Sequence, residues 1–347
     1  MTVFHPLTRE QGTSHVVTTY ADGGAVRTRS IRVPLRPPLS FASDPFIPLR
    51  LSRVDVWFGF NSLACARGLV QRRLGRARTV VLWSVDFVPE RFGRGTPLTA
   101  LYNALDRFCC THADAPDGAL RRRAGRPQPS SRPGCGASAR ARRPHVCVAR
   151  TTPTVPEDGF ARRRVAFLGQ LVPRQGVAAL LEALALLHAR GEGVVADVIG
   201  SGPDEPAARA SARALGLDGI VRFRGFVPDH RDIERLLAGA SIAVAPYEET
   251  DSTFTRRADP GKLKAYLAAG LPIVLTDVPP NARELVREAG AEIVPYDAAA
   301  IAGAIADALA SPERWRERHE QALRYARKFD WAELLPNALA RLGLYER

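Results

Sequence analysis

From Arg164 onward, short apolar runs alternate with stretches whose apolar positions recur every three or four residues, the pattern of strands exchanging with amphipathic helices. Val165 to Leu168 is the first run, closed by Gly169. Val177 to His188 then places Leu180, Leu181, Leu184 and Leu187 at helical spacing before Gly191. The same reading predicts a strand at Val194 to Ile199, a helix at Pro206 to Leu215, a strand at Ile220 to Phe223, a short helix at Asp232 to Leu237 and a strand at Ser241 to Ala245. It continues with a helix at Gly261 to Ala269, a strand at Ile273 to Thr276, a helix at Ala282 to Glu288, a strand at Ala291 to Val294 and a helix at Ala298 to Leu309. Arg314 to Lys328 and Trp331 to Leu342 close the chain as two helices without a strand between them. Such alternation marks repeated βαβ units around a parallel sheet, whose strands are covered on both faces and are therefore apolar throughout.

The N-terminal half carries fewer signals. Val54 to Phe58 and Thr79 to Trp83 read as strands and Thr99 to Cys110 as a helix. Thr2 to Gly24 shows no strand, Gly-rich turn and helix of the kind that opens a doubly wound domain, and Gly23-Gly24 is a turn signal only. Residues 116 to 150 are rich in Arg, Ala, Pro, Ser and Gly and follow neither hydrophobic period, so they read as a basic linker or as a stretch translated out of frame. The expected division is an incomplete α/β domain at 1–115, an irregular linker at 116–158 and a complete α/β domain at 159–347.

A length of 347 residues with 46% hydrophobic and 24% charged content fits two globular domains. The net charge of +13 suggests nucleic acid until it is located: nine arginines stand against one acidic residue between Asp117 and Arg150, and no aromatic is interleaved for base stacking. Nucleic acid is therefore not an expected partner. No apolar run is long enough to span a bilayer and the opening Met1-Thr-Val-Phe-His-Pro has no signal-peptide pattern, which predicts a cytoplasmic protein. Cys65, Cys109, Cys110, Cys135 and Cys147 show no zinc spacing and leave one over in any pairing, so reduced thiols are expected. No metal site and no Asp-x-Asp cluster is visible.

Four segments carry candidate chemistry. Gly169-Gln-Leu-Val-Pro-Arg-Gln-Gly176 joins the first strand of the second domain to a helix, where backbone amides and a helix N-terminus can face phosphate. Asp197-Val-Ile-Gly-Ser-Gly-Pro203 ends a strand in two glycines that serve either close approach to a ligand or close packing. Val221-Arg-Phe-Arg-Gly-Phe-Val227 puts Arg224 and Gly225 at a strand end. The run from Ala245 to Gly270 holds Glu248, Glu249, Ser252, Thr253, Thr255 and Lys262 before and within a helix opened by Asp259-Pro260.

The order and spacing of these segments resemble the donor half of family 4 of the retaining glycosyltransferases, the glycosyl transferases group 1. The resemblance implies two Rossmann-like doubly wound domains, the GT-B architecture, with the N-terminal one incomplete. It further implies transfer of a sugar from a nucleoside-diphosphate sugar to an unidentified glycan, lipid or small molecule. The nucleotide-sugar is then a co-substrate, no cofactor is needed, and peripheral contact with a membrane stays open. The alternative is a non-catalytic nucleotide-sugar-binding relative or an inactive remnant. By the resemblance, Gly169, Gln170, Gln175, Gly202, Arg224, Gly225, Glu249, Ser252, Thr253 and Lys262 form the donor site, with Gln170 and Gln175 in the diphosphate subsite where the family carries Arg and Lys. The family's two carboxylates fall on Arg257 and Ala265, its strand-end His on Val85 beside Asp86, and its Phe-x-Trp on Phe329 to Trp331. No catalytic residue is assigned.

Overall fold

The computed structural model describes residues 2–4, 14–21, 24–32, 53–83, 90, 92–114, 152–249 and 260–341. The chain forms two compact units that divide between Arg143 and Pro144. The Arg-rich stretch of residues 116 to 150, with both of its readings, lies outside the described residues.

In the first unit β1 (Thr2–Phe4), β2 (Ser14–Ala21) and β3 (Gly24–Arg32) form an antiparallel sheet in that order. The opening segment thus uses antiparallel ribbons where a doubly wound domain has strand, turn and helix. A strand–turn–helix unit comes later: β4 (Val54–Gly59), α1 (Ser62–Arg73) and β5 (Ala77–Leu82), the two strands pairing in parallel with Val56 opposite Thr79. Asn61 starts α1 by accepting the Ala64 N–H at 2.8 Å. Then α2 (Pro97–His112), capped by Thr96, lies against α1, where the Ser62 hydroxyl donates to Asp106 Oδ1 at 2.7 Å. Trp57, Cys65, Leu69, Val80, Leu82 and Cys109 fill the space between. A hydrogen bond from Cys65 and burial push the Cys109 thiol far above its ordinary range, so Cys109 stays a protonated packing group beside the buried Cys65.

In the second unit six parallel strands run β11-β10-β9-β6-β7-β8. They are β6 (Arg164–Leu168), β7 (Val195–Ile199), β8 (Val221–Gly225), β9 (Ile242–Ala245), β10 (Ile273–Leu275) and β11 (Glu292–Ile293). Between them lie α3 (Val177–Ala189), α4 (Glu205–Ala214), α5 (His230–Ala238), α6 (Gly261–Ala268) and α7 (Ala282–Ala289), followed by α8 (Ala298–Ala308), α9 (Pro312–Ala326) and α10 (Trp331–Arg341). The predicted alternation holds to within two residues at most ends. Helices cover both sheet faces, which is why β9 is buried at every position. Leu180, Leu181, Leu184 and Leu187 put the apolar face of α3 into the core with Phe167, Ile242, Leu263 and Trp315. Each such side chain contributes about 1.5–3 kcal/mol by leaving water. Residues from Thr152 also belong here: Val155 is buried and its N–H donates to Ala269 O at 2.9 Å.

The long helix α9 fastens the sheet from behind. Trp315 Nε1 donates to Ser241 O at 2.7 Å, and His319, stacked on Trp315, lies 2.6 Å from Gly270 O through Nδ1. A carbonyl only accepts, so His319 carries a proton on Nδ1. Phe329 packs on the core, and buried Asp330 caps α10 through the Ala332 N–H at 2.8 Å. Among the described residues no helix is long and apolar enough to cross a membrane.

Candidate functional site

The strand order reverses direction at β6. β7 and β8 follow on one side of it, β9, β10 and β11 on the other, and a sheet wound this way leaves a crevice outside the carboxyl ends of the two strands at the reversal. The register shows the opening. β6 pairs with β7 as far as Leu168 opposite Ile199, but with β9 only at Val165 and Ala166. Beyond Ala166 a side chain takes over: the Leu168 N–H donates to the hydroxyl of Tyr266 on α6 at 2.7 Å. Burial pushes that hydroxyl well above the ordinary tyrosine range, which keeps it neutral and able to accept.

Three loops meet at this edge, and backbone contacts stitch them together. The loop after β6 sets Leu171 inward, its N–H on Ser201 O at 3.0 Å and its carbonyl accepting from Asp204 at 3.1 Å. A short turn at Pro173–Gln175 ends at Gly176, whose φ of 73° starts α3. A Cβ on Gly176 would stand 1.7 Å from Pro246 O in the loop after β9. The Glu248 N–H donates to Arg174 O at 3.2 Å across the same seam. In the loop after β7, Gly200 adopts φ 131° and a Cβ there would lie 1.9 Å from Gly169 O. These positions require glycine because backbone passes against backbone. Gly202 is likewise packed, its missing Cβ 2.3 Å from Leu171 O. Close packing of backbone on backbone accounts for glycine at Gly200 and Gly202.

Of the expected site residues, the fold gathers Gly169, Gln175 and Lys262. Lys262 Nζ donates to Gln175 Oε1 at 2.8 Å and would sit 3.4 Å from a Cβ on Gly169. The ammonium lies over two rings, 4.8 Å from the centroid of Phe167 and 4.3 Å from that of Tyr247. Burial lowers its pKa to about 7. Tyr247 is itself fixed, its carbonyl accepting from the Thr276 hydroxyl at 2.7 Å. Gln170 is exposed on the same loop and Glu249 is exposed beyond Glu248. Arg224 is engaged elsewhere: its Nε donates to buried Asp197 at 2.7 Å, which also accepts from Arg164 at 3.0 Å, so the three charges bind neighbouring strands together. Gly225 ends β8 with φ 67°. Ser252 and Thr253 lie outside the described residues, as do Val85, Asp86, Thr255, Arg257 and Asp259. Ala265 packs against the core and leaves no carboxylate at its position.

Sequence reasoning passed over Tyr247, Tyr266 and Tyr296. Tyr266 was within reach of it, four residues after Lys262 and so on the same helix face. Tyr296 reaches the Gly176 turn from the loop before α8, its hydroxyl held above its ordinary range by burial, Glu248 and Glu182. Tyr247 has no signal in the sequence, since it follows a strand like any core aromatic.

Residues 162–311 match the family described as Glycosyl transferases group 1. A GDP-mannose-dependent alpha-(1-6)-phosphatidylinositol dimannoside mannosyltransferase of Mycobacterium tuberculosis is 32% identical over 163 residues, which cover 47% of this chain and 39% of that relative. The match therefore spans about two fifths of the relative's length. HepE of Anabaena in complex with UDP superposes with a TM-score of 0.58 at 17% identity, over 83% of this chain and 78% of the other. Sucrose-phosphate synthase of Thermosynechococcus elongatus gives a TM-score of 0.56 at 16% identity, over 83% and 72%. At these identities the two structures speak for fold, and the family match over the second unit agrees with them. Residues 162–311 are thus similar to the group 1 glycosyltransferases, and the chain has the GT-B fold.

Proposed function

We propose that this protein transfers a sugar from a nucleoside-diphosphate sugar, with the nucleotide part of the donor seated in the crevice of the second unit. The observation that carries this reading is the meeting of the Gly169–Gly176 loop, the first turn of α3 and Lys262 at the switch point of a doubly wound sheet. In such a transfer the bond between the anomeric carbon and the diphosphate breaks, its electron pair leaves with the diphosphate, and the acceptor oxygen takes the sugar. Groups preorganised around the leaving oxygens then lower the barrier, because negative charge grows there in the transition state.

The mannosyltransferase relative makes GDP-mannose the first donor to test, and HepE, described with UDP-glucose, makes UDP-glucose the second. A screen of GDP-, UDP- and dTDP-sugars, with binding by calorimetry and donor hydrolysis measured in parallel, tests the proposal. Binding with turnover of one donor is the expected result, and absence of binding to all of them overturns it. A second reading, a nucleotide-sugar binder without turnover, has its own observation. Neutral Gln170 and Gln175 stand where the resembling family carries cations, and Arg257 and Ala265 stand at its carboxylate positions. Binding without hydrolysis or transfer decides for that reading.

A further inference from the structure

We propose that Lys262 supplies the positive charge that meets the donor diphosphate, delivered from the first turn of α6 instead of from the loop after β6. This rests on reading the crevice as a nucleoside-diphosphate-sugar site. The loop that leaves β6 carries Gln170 and Gln175, which donate hydrogen bonds but hold no charge. Lys262 Nζ comes to that loop from across the crevice, 2.8 Å from Gln175 Oε1 and directly over the Gly169 turn.

Its contacts among the described residues are neutral: the Gln175 amide, the ring of Phe167 and the ring of Tyr247. Among the described residues no carboxylate lies within ion-pair distance of it. Several other cations of this unit are paired, among them Arg164 and Arg224 with Asp197 and Lys328 with Glu288. Among the described residues Lys262 is therefore held in place without an anion, at a position where the partial positive charge of the helix start adds to its own. Burial already favours its neutral form, with the pKa near 7. An arriving diphosphate replaces Gln175 Oε1 as its acceptor and restores the charge.

Gln175 and Lys262 also fit each other. A second lysine at position 175 would bring two ammonium groups within about 3 Å, where like charges in a desolvated site repel strongly. A neutral acceptor at 175 removes that repulsion and anchors the lysine.

Calorimetric titration of the full chain with UDP, GDP and dTDP, and with the corresponding nucleosides, tests the assignment. Lys262→Met should weaken binding of the preferred nucleoside diphosphate about tenfold to a hundredfold, the range of one charge-assisted contact. It should leave nucleoside affinity unchanged and raise the melting temperature of the free protein, because a desolvated ammonium is gone. Lys262→Arg should keep most of the affinity. The exchange Gln175→Lys with Lys262→Gln, which returns the charge from the other side of the crevice, should recover most of what Lys262→Gln alone loses. If wild-type protein binds a nucleoside diphosphate and Lys262→Met binds it equally well, Lys262 does not face the phosphates, and the donor reading stands. If wild-type protein binds none of the three, the donor reading falls and this assignment falls with it.

Discussion

In the first unit the parallel pair of β4 and β5 is backed by α1 and α2, and its buried set mixes Trp57, Leu69 and Val80 with Ser62, Arg67, Gln71 and Asp106. In the second unit six strands lie between helices on both faces, and β9 and β10 are buried and apolar at every position. Both units use the same strand–helix–strand grammar. They differ in how much apolar surface each repeat adds to its neighbours. Gln71 shows the cost on one side, its Oε1 buried with no hydrogen-bond partner, a situation worth about 1–3 kcal/mol. Polar groups in a small core contribute little and constrain much, whereas a doubly covered sheet gains with each strand added.

The strongest test of that contrast is to separate the units. Expressed from Pro144 to Arg347, the second should melt in one cooperative transition, while Met1 to Arg143 should show none. A sharp transition in the shorter piece would break the comparison. Within the second unit, Gly176→Ala should cost more than about 3 kcal/mol, since both its φ and the approach of Pro246 O exclude a side chain. Gly169→Ala, which meets only the ends of Gln175 and Lys262, should stay within about 1 kcal/mol, measured by urea denaturation. Next in size, Leu184→Ala on α3 should destabilise by about 3–4 kcal/mol and Leu69→Ala on α1 by about 2, because the larger core relaxes less around the cavity. Equal losses in the same denaturation experiment would remove the difference in packing.

The smallest effect concerns pH. Burial lowers the Lys262 pKa to about 7 in the free protein, and on the proposed assignment a bound diphosphate raises it. Between the two values the complex holds a proton that the free protein has released. Affinity for GDP-mannose, whose diphosphate does not titrate in this range, should therefore be level below pH 7 and fall above it by at most about tenfold per unit. Among the described residues, Tyr247, Glu248 and Glu249 from the loop after β9, Arg174 from the loop after β6, and Lys264 and Tyr266 on α6 are the other ionisable groups of these two loops and this helix. None is a histidine, the side chain that ordinarily changes charge there. Lys262→Met should abolish the slope, and a slope that survives it assigns the titration to another group.

The second unit was legible because its elements are punctuated. Gly169, Gly191, Gly216, Gly270 and Gly290 fall at strand or helix ends, and the apolar runs between them keep one period each. α1 was not legible. Its buried face includes Ser62, Arg67, Gly68 and Gln71, so no apolar period of 3.6 exists to be seen, and Asn61 was the signal available. β1 to β3 escaped for a related reason, since Val26, Thr28, Arg27 and Arg29 blur the alternation of β3 and the pair Gly23-Gly24 was a turn signal only. At the site, the sequence could name Gln175 and Lys262 as separate candidates. It could not show that they touch, because that follows from the reversal of strand order at β6, a property of the whole sheet.

The contact between Gln175 and Lys262, 87 positions apart in the chain, has a consequence for how such a sequence can drift. A lineage that carries its charge in the loop after β6 and one that carries it on α6 are separated by two substitutions. The single-step intermediates hold either two lysines in mutual repulsion or none at all. On this assignment the two positions should exchange together, or through a third change that softens the intermediate. Grafting either residue alone into a relative should do harm that grafting the pair does not.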